Sequence, residues 1–303
     1  MMELLDPRVD FVFKRIFASD NNKDVLLAFL NRIFAEAGEP ALDEVVLLNP
    51  YTDKDDPLDK QSIFDIWAKT VDGRMIDIEM QLFNKYDIEK RTLYYWSKRY
   101  SGQLQESGKY RDLKKCVTIN ILNYSLLPGE QYHSVFHLRE DHCGIALTQD
   151  IEIHFLELPN LKLSSPPEQE GLVNWLLFLK GIDQSHWEVL SMNEPVMKKA
   201  MDTLQFLSQD SEARRIYEAR QKYLHDEASL RDAAENGWER GLQKGMQEGL
   251  KEGLKEGLKE GLHEGQLKAK LEIAKKLLAM GLNQAEIREA TGLSDEEIES
   301  SNP

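Results

Sequence analysis

The chain has 303 residues, with 38 lysines and arginines against 53 aspartates and glutamates, giving a formal net charge of −15. Its 41% hydrophobic content is enough for one large domain or two smaller ones. The charge argues against a nucleic-acid binder held by bulk positive charge, and two cysteines cannot form a disulfide scaffold. With no signal-like segment at the start and no apolar run long enough to cross a bilayer, we expect a soluble, cytoplasmic protein without a membrane partner.

The negative charge is unevenly distributed along the chain. Residues 1–125 carry a net charge of −3, residues 126–230 carry −8, and residues 231–303 carry −4. Residues 85–115 form a local exception, with a net charge of +5 and several aromatic side chains. This stretch fits equally well an ordinary surface helix with an aromatic core face and a surface that contacts phosphate.

The hydrophobic pattern predicts a series of helices and strands. Helices are predicted over residues 10–18, 24–37, 87–105 and 171–180, followed by two or three more up to about residue 235. Strands are predicted over residues 45–48, 62–70, 74–83, 116–122, 144–148 and 151–158, with a polar loop over 52–60. This order predicts an α/β fold with a mixed central sheet flanked by helices.

A different pattern begins near residue 236. Glycine recurs every fourth residue from Gly237 to Gly265, with a Leu-Lys-Glu theme between the glycines. Each glycine costs a helix about 1 kcal/mol, and a period of four winds around the helix by about 40° per repeat, so no heptad seam forms. Two interpretations stay open: a flexible, partly helical spacer, which we slightly favour, or a helix whose glycine groove packs against a partner.

The last part of the chain is predicted to be a small helix-turn-helix-like unit. Helices are expected over residues 268–280, 284–291 and 294–299, and Ser294 with Glu297 forms a capping box. Residues 282–299 contain one basic residue, Arg288, and six acidic residues. A recognition helix that faces phosphates should not be so acidic, so contact with a protein or an oligomer is favoured over contact with DNA.

These patterns divide the chain into three regions. A domain is predicted over residues 1–235, with a core at about 5–160 and a helical part at about 166–235. The glycine-repeat spacer follows over 236–266, and an all-helical C-terminal extension ends with the tail over 267–303.

The two central strands form a hairpin whose register can be predicted. A three-residue turn over residues 71–73, with Gly73 in a left-handed conformation, makes one face wholly apolar, whereas a two-residue turn mixes polar and apolar residues on both faces. The apolar pairs are then Phe64 with Met80, Ile66 with Ile78, and Ala68 with Ile76.

The same register decides the opposite face of the hairpin. Asp65 lies opposite Glu79, and Ile63 lies opposite Gln81. Opposed carboxylates repel each other unless one is protonated or a cation lies between them, and such a pair suits Mg²⁺ or Mn²⁺. Scattered acids on a solvent-facing strand are the more common explanation of this spacing alone.

An ordered set of segments resembles a known family. The segments cover residues 10–17, 64–66, 78–81 and 91–96, and the glycine-rich tail adds to them. Over about residues 5–235 the layout resembles a PD-(D/E)XK nuclease, and in particular the recombination-promoting nuclease (Rpn) and transposase branch of that superfamily. The resemblance implies a restriction-endonuclease-like core.

The resemblance also implies a metal site. Asp65 and Glu79 would bind Mg²⁺, with Mn²⁺ as an alternative, and the backbone carbonyl of Met80 would be a further ligand. Gln81 stands where the superfamily has a lysine, and an amide can position water but cannot supply a positive charge. Lys14 is a candidate for that charge, although an ordinary helix-surface cation is the favoured interpretation.

Other candidate residues are assigned by the same resemblance. Asp10 is a candidate outer-shell acid, although acids are favoured in the first turn of any helix. Arg91, Lys98 and Arg99 are candidate phosphate contacts; for Arg91 the alternative is a salt bridge to Glu89 or to an acid at the edge of the core. The histidines at positions 133, 137, 142 and 154 have no recognised metal-ligand spacing, so structural or surface roles are expected for them.

The resulting functional hypothesis is a magnesium-dependent DNA endonuclease that hydrolyses phosphodiester bonds. A link to recombination or mobile DNA is implied by the resemblance. One alternative is a catalytically weak family member that acts as an oligomerising, DNA-binding or protein-binding module through its helical tail. Another is a regulator in which residues 267–303 bind specific DNA.

Overall fold

The computed structural model describes residues 3–48, 65–84, 87–104, 108–161, 171–181 and 186–300. The polar loop predicted over 52–60 and the positions of Ile63 and Phe64 lie outside the described residues. The chain divides into two compact units, Met1–Asp226 and Glu227–Pro303.

The first unit contains the predicted mixed sheet. Its strands are β1 (Val45–Leu47), β2 (Ile66–Thr70), β3 (Met75–Gln81), β4 (Cys116–Leu122), β5 (His133–Phe136) and β6 (Ile151–Glu157). The spatial order is β1-β2-β3-β4-β6-β5. The pairs β3–β4 and β4–β6 are parallel, and the other three pairs are antiparallel. The prediction of a mixed sheet is confirmed.

Helices cover both faces of this sheet. The helices of the first unit are α1 (Asp10–Phe17), α2 (Lys23–Glu36), α3 (Ile88–Ser101), α4 (Leu172–Lys180), α5 (Trp187–Asn193), α6 (Pro195–Gln209) and the start of α7 (Ser211–Ala279). The rest of α7, with α8 (Gln284–Thr291) and α9 (Asp295–Ser300), belongs to the second unit. The main core joins α1, α2, α4 and α6 to the apolar side of the sheet and contains a cluster of Phe13, Phe17, Phe29 and Trp175. A smaller apolar cluster lies beneath α3.

The hairpin of β2 and β3 has the predicted register. Ile66 pairs with Ile78, and Ala68 pairs with Ile76. Gly73 adopts a φ of +92° and donates its N–H to the carbonyl oxygen of Thr70 at 3.0 Å, which closes the predicted three-residue turn. A glycine is required at this position because L side chains rarely adopt such a φ.

One predicted strand is wrong. Residues 144–148 form no strand and contribute a single bridge, between Arg139 and Ala146. Gly144 has a φ of +68°, and Ile145 and Leu147 are exposed, so this apolar stretch has no sheet face to cover. The edge strand is instead β5, which pairs with β6.

The second unit has its own small core. Ala274 from α7 packs with Ile287, Leu293 and Ile298 from the region of α8 and α9. The predicted capping box between Ser294 and Glu297 is present, and the structure adds a second one between Asn283 and Glu286. No helix in the described parts of the chain is long and apolar enough to cross a membrane.

The glycine repeat is helical and lies within α7. At each glycine from Gly237 to Gly265, an added Cβ would meet no atom within 4 Å other than those of its chain neighbours and the helix's own backbone. The leucines that alternate with the glycines are exposed, as at Leu250 (76%) and Leu254 (74%). The helix alone therefore gives the glycines no packing role.

Because there is space for a side chain at these glycines, replacing them with alanine measures how much they destabilise the helix. The double variant Gly249→Ala/Gly253→Ala should be more stable than the wild type, because each alanine recovers up to about 1 kcal/mol of helix propensity. Thermal unfolding followed by far-ultraviolet circular dichroism measures the change. As a contrasting control, Gly73→Ala should lose about 1 kcal/mol or more, because its φ is +92° and the Lys114 side chain lies 3.2 Å from the added Cβ. A loss of stability in the double variant would instead mean that the glycine groove packs against a partner.

Candidate active site

Three polar side chains alternate along β3 on the face away from the main core. Asp77, Glu79 and Gln81 are each at least 93% buried, at 5%, 5% and 7% exposure. Asp65 immediately precedes β2, and its Oδ2 accepts a hydrogen bond from the Met80 backbone N–H at 2.8 Å. This bond continues the hairpin register by one position and holds Asp65 beside the β3 acids.

Asp65 also faces a groove at the surface. The groove has a volume of about 380 Å³, and its lining includes Lys14, Arg15, Asp65 and Trp67. The ammonium of Lys14 lies 3.5 Å from Asp65 Oδ1. One carboxylate oxygen of Asp65 is therefore fixed by the backbone, and the other faces a cation.

Glu79 contacts its neighbours through one oxygen. Its Oε2 accepts hydrogen bonds from Gln81 Nε2 at 3.0 Å and from Arg91 Nη2 at 3.2 Å. Arg91 Nη1 also donates to Gln81 Oε1 at 3.5 Å. The other oxygen, Oε1, is buried and has no hydrogen-bond partner among the described residues.

Burial and mutual repulsion disfavour ionisation of the acids at this site. Burial, reinforced by the charge of Asp65, raises the pKa of Glu79 to about 8 despite the opposing charge of Arg91. Burial likewise raises the pKa of Asp65, against the Met80 N–H and Lys14, which lower it. The pKa of Asp77 is raised well above its ordinary value by burial and by the charge of Glu79. The site is short of positive charge.

These residues fit a divalent metal ion. Two carboxylates on one face and a buried, unpartnered carboxylate oxygen of Glu79 are the donors that Mg²⁺ or Mn²⁺ prefers. A cation bound there would favour the ionised forms of both carboxylates and so oppose the effect of burial on their pKa values. Asp65 and Glu79 are the residues that would hold it.

The comparisons with known proteins agree with this geometry. Residues 7–234 match the family model described as PD-(D/E)XK nuclease family transposase. The chain belongs to this PD-(D/E)XK nuclease family. Residues 267–302 match the model of the Rpn/YhgA-like nuclease family C-terminal HTH domain. The predicted resemblance and the restriction-endonuclease-like fold are thereby confirmed. Neither a curated protein nor a solved structure matches the chain.

The candidate phosphate contacts of this nuclease-family chain lie on α3. Arg91 forms a salt bridge with Glu79, so its described partner is an acid of the site itself. The guanidinium carbon of Arg99 lies 3.7 Å from the centre of the Trp67 ring, and its charge acts on Asp77. Lys98 is half-buried on the same helix.

The candidate outer-shell acid has a partner from a distant part of the chain. Arg220 Nε donates to Asp10 Oδ1 at 3.1 Å, and its Nη2 lies 2.8 Å from Oδ2. The charge of Asp10 contributes to the raised pKa of Asp65, so the two acids are electrostatically coupled.

Two site residues were not named as candidates from the sequence. The predicted register places Asp77 on the face of Glu79, opposite Trp67, and the structure has this pairing, but Asp77 was not identified as a third acid of the site. Arg220 lies 210 residues from Asp10 in the chain, and no local pattern could have joined them.

The four histidines separate into two environments. His142 is exposed and pairs with Glu140 at 2.9 Å. His133, His137 and His154 come together around Glu152, away from the acids of the hairpin.

The raised pKa of Glu79 predicts a pH-dependent stability in the absence of metal. A pKa above the unfolded value means that the contribution of Glu79 is fully present below pH 4.5 and is lost as the pH rises through about 8. The variant Glu79→Gln cannot ionise. In EDTA, the Tm of Glu79→Gln relative to that of the wild type should therefore increase as the pH rises from about 4.5 to above 8. Thermal unfolding at a series of pH values measures this difference.

One outcome of this comparison would contradict the raised pKa of Glu79. A constant difference between Glu79→Gln and wild type across this pH window would show that folding does not raise the pKa of Glu79. The glutamine keeps an acceptor for Arg91, so the loss of that contact does not imitate the effect.

Proposed function

We propose that this chain is a metal-dependent DNA endonuclease whose divalent ion is held by Asp65 and Glu79. The observation that carries the proposal is the unpartnered, buried Oε1 of Glu79, on the same face as Asp65 and beside the groove that contains Lys14. Membership of a nuclease family supports the same chemistry. Mg²⁺ or Mn²⁺ held by these residues would supply a water of lowered pKa and would stabilise negative charge on the phosphate.

The protein's part in this reaction is to hold the carboxylates in place. The Met80 N–H fixes the orientation of Asp65, and Gln81 fixes Glu79 through Oε2 and leaves Oε1 free. The Met80 carbonyl remains our proposed third ligand. Since these groups belong to one hairpin, the donor set forms when the hairpin folds and needs little reorganisation on binding.

The missing lysine has a candidate replacement in the structure. Arg91 reaches both Glu79 and Gln81, so its guanidinium lies beside the position that the superfamily's lysine occupies in sequence. We propose that Arg91 supplies the positive charge at the phosphate and that Gln81, held by Arg91 and Glu79, orients a water. Lys14 is placed on the other side, at Asp65.

DNA binding is assigned to the first unit. Its support is the basic stretch around α3, with Lys98 as a further candidate contact, and the groove that contains Lys14 and Arg15. Binding through a few local cations on an acidic protein should be weak and should fall steeply with salt. The family description supports a role in DNA rearrangement.

The terminal domain supports a second role. Its match to an HTH domain favours DNA contact, whereas the first turn of α9 carries Asp295, Glu296 and Glu297. This charge favours a protein partner, and a second copy of this chain through the helical repeat is our proposal for it. Because Gln81 stands in place of the superfamily's lysine, a second candidate function is that of a catalytically weak protein that acts mainly through this tail.

The central prediction concerns the two carboxylates. Asp65→Ala and Glu79→Ala should each abolish Mg²⁺-dependent cleavage of supercoiled plasmid, because each removes a metal ligand. Glu89→Ala, which removes an exposed acid from α3, is the matched control and should cleave like the wild type. Gel analysis of nicked and linear products measures all of them.

Two outcomes would contradict the site assignment or the activity. Full activity in both alanine variants would show that the metal binds elsewhere. Absence of cleavage by the wild type with either Mg²⁺ or Mn²⁺, together with a stable oligomer, would favour the catalytically weak alternative.

The role of Arg91 predicts a specific rescue. Arg91→Ala should lower kcat by about 100-fold, the scale of losing one group that stabilises transition-state charge. Gln81→Lys in the Arg91→Ala background should recover much of this loss, because it restores a cation at the family's usual position. Arg215→Ala, which removes an exposed arginine paired with Glu212, is the control.

Single-turnover cleavage rates decide between the two roles of Arg91. If Arg91 acts only by holding Glu79, the lysine at position 81 will not restore the rate. Such a result would leave Lys14 as the candidate for the positive charge at the phosphate.

A further inference from the structure

A second polar cluster lies on the opposite face of the sheet from the hairpin acids. Glu152 of β6 pairs with Val117 of β4, which pairs with Ile76 of β3. Residues paired across adjacent strands share a face, so Glu152 belongs to the side of Ile76, and Asp77 and Glu79 belong to the other side. The Glu152 side chain is fully buried, and so is His154, two residues on.

Three side chains around Glu152 present metal-ligand atoms to one another. Glu39 follows α2, His137 follows β5, and Glu152 lies in β6; one ligand atom from each lies within 4.8 Å of the others. His137 Nε2 is 3.1 Å from Glu152 Oε2. Among the residues that the structure describes, this is the only such group of three.

A lysine ammonium already lies between the two carboxylates. Lys115 Nζ is 2.6 Å from Glu152 Oε2 and 3.2 Å from Glu39 Oε1, and its side chain is only 12% exposed. The structure therefore contains a cation at the point where the carboxylate oxygens converge. A metal ion bound by the same oxygens would replace this ammonium.

The charges of the cluster leave room for a doubly charged ion. Lys115 faces both Glu39 and Glu152, and Arg74, at 3.7 Å from Glu39, lies closer to Asp72 at 2.7 Å. A doubly charged ion in place of the Lys115 ammonium would match the charge of the two carboxylates that face this point.

An outer layer of hydrogen bonds supports the buried carboxylate. His154 Nε2 lies 2.7 Å from Glu152 Oε1, and His133 Nε2 lies 2.9 Å from His154 Nδ1. The contact with His154 leaves Glu152 Oε2 to face His137 and Lys115, and a hydrogen bond of this kind orients a metal-binding carboxylate.

We propose that Glu39, His137 and Glu152 form a zinc site, distinct from the magnesium site of the hairpin, and that Lys115 occupies this site when the metal is absent. An imidazole nitrogen with two carboxylate oxygens suits Zn²⁺ better than Mg²⁺, which prefers oxygen ligands and retains its water. Three protein ligands leave the fourth tetrahedral position to water. The ion connects the end of α2, the segment after β5 and the start of β6, so it anchors the short edge strand to the core.

The test uses the full chain with Glu79→Gln as background, so that the hairpin site contributes little metal binding. Zn²⁺ affinity is measured by competition with a chromophoric chelator on tag-free protein. We expect one zinc per chain. His137→Ala should weaken binding by at least about tenfold, whereas His142→Ala, which removes an exposed histidine five residues later, should not change it. A millimolar excess of Mg²⁺ should not displace the zinc.

Lys115 provides the decisive variant. Lys115→Met removes the competing ammonium and should raise the zinc affinity by about tenfold or more, whereas loss of a purely structural lysine would leave zinc binding unchanged. Circular dichroism confirms that each variant is folded. The proposal is overturned if no zinc binds, if His137→Ala binds zinc as well as His142→Ala does, or if Lys115→Met gives no gain.

Discussion

The candidate active site depends on the register of one hairpin. Ile66, Ala68, Ile76 and Ile78 must all face the main core, and a slip of one residue would turn apolar side chains away from that core and polar ones toward it. The three-residue turn that ends at Gly73 satisfies this requirement. Once the apolar face is fixed, Asp77 and Glu79 must lie together on the other face, with Asp65 held beside them by the Met80 N–H. The site is thus a consequence of packing on the opposite side of the same strands.

This arrangement places three acidic side chains close together in a buried environment, where their ionised forms are unfavourable. The pKa values of all three acids are raised, and the nearby cations come from two helices: Lys14 from α1, and Arg91 and Arg99 from α3. The free energy lost by burying the acids is recovered in part by these ion pairs, and a bound divalent cation would recover more. The net charge of −15 is compatible with a DNA enzyme, because a bound metal ion would offset the acids of the site and residues 85–115 carry a net charge of +5.

Local sequence patterns were sufficient to predict the register of the hairpin but not the strands at the far edge of the sheet. Alternation along residues 66–81 and the Asp-Gly turn predicted the register pair by pair, since both signals lie within one short stretch. The strand at His133–Phe136 was missed because its side chains are half-buried or exposed and show no clear alternation. The apolar residues of 144–148 suggested a strand, but they are exposed beside a left-handed glycine.

Long-range ion pairs lie beyond sequence reasoning altogether. The contact of Asp10 with Arg220, and that of Lys115 with Glu152, depend on elements that meet only in the folded chain. The four histidines show the same limit. Their spacing matched no ligand pattern, yet the antiparallel pairing of β6 with β5 brings His137 and His154 to the buried Glu152 and His133 to His154.

The central claim is that the hairpin acids form a divalent metal site. The most direct measurement is a crystal structure of the protein soaked with Mn²⁺, with anomalous diffraction data to locate the ion. The account predicts an anomalous peak bound by Asp65 and by Oε1 of Glu79, the oxygen that has no partner among the described residues. A Mn²⁺ peak elsewhere on the protein, with Glu79 still paired only to Gln81 and Arg91, would contradict it.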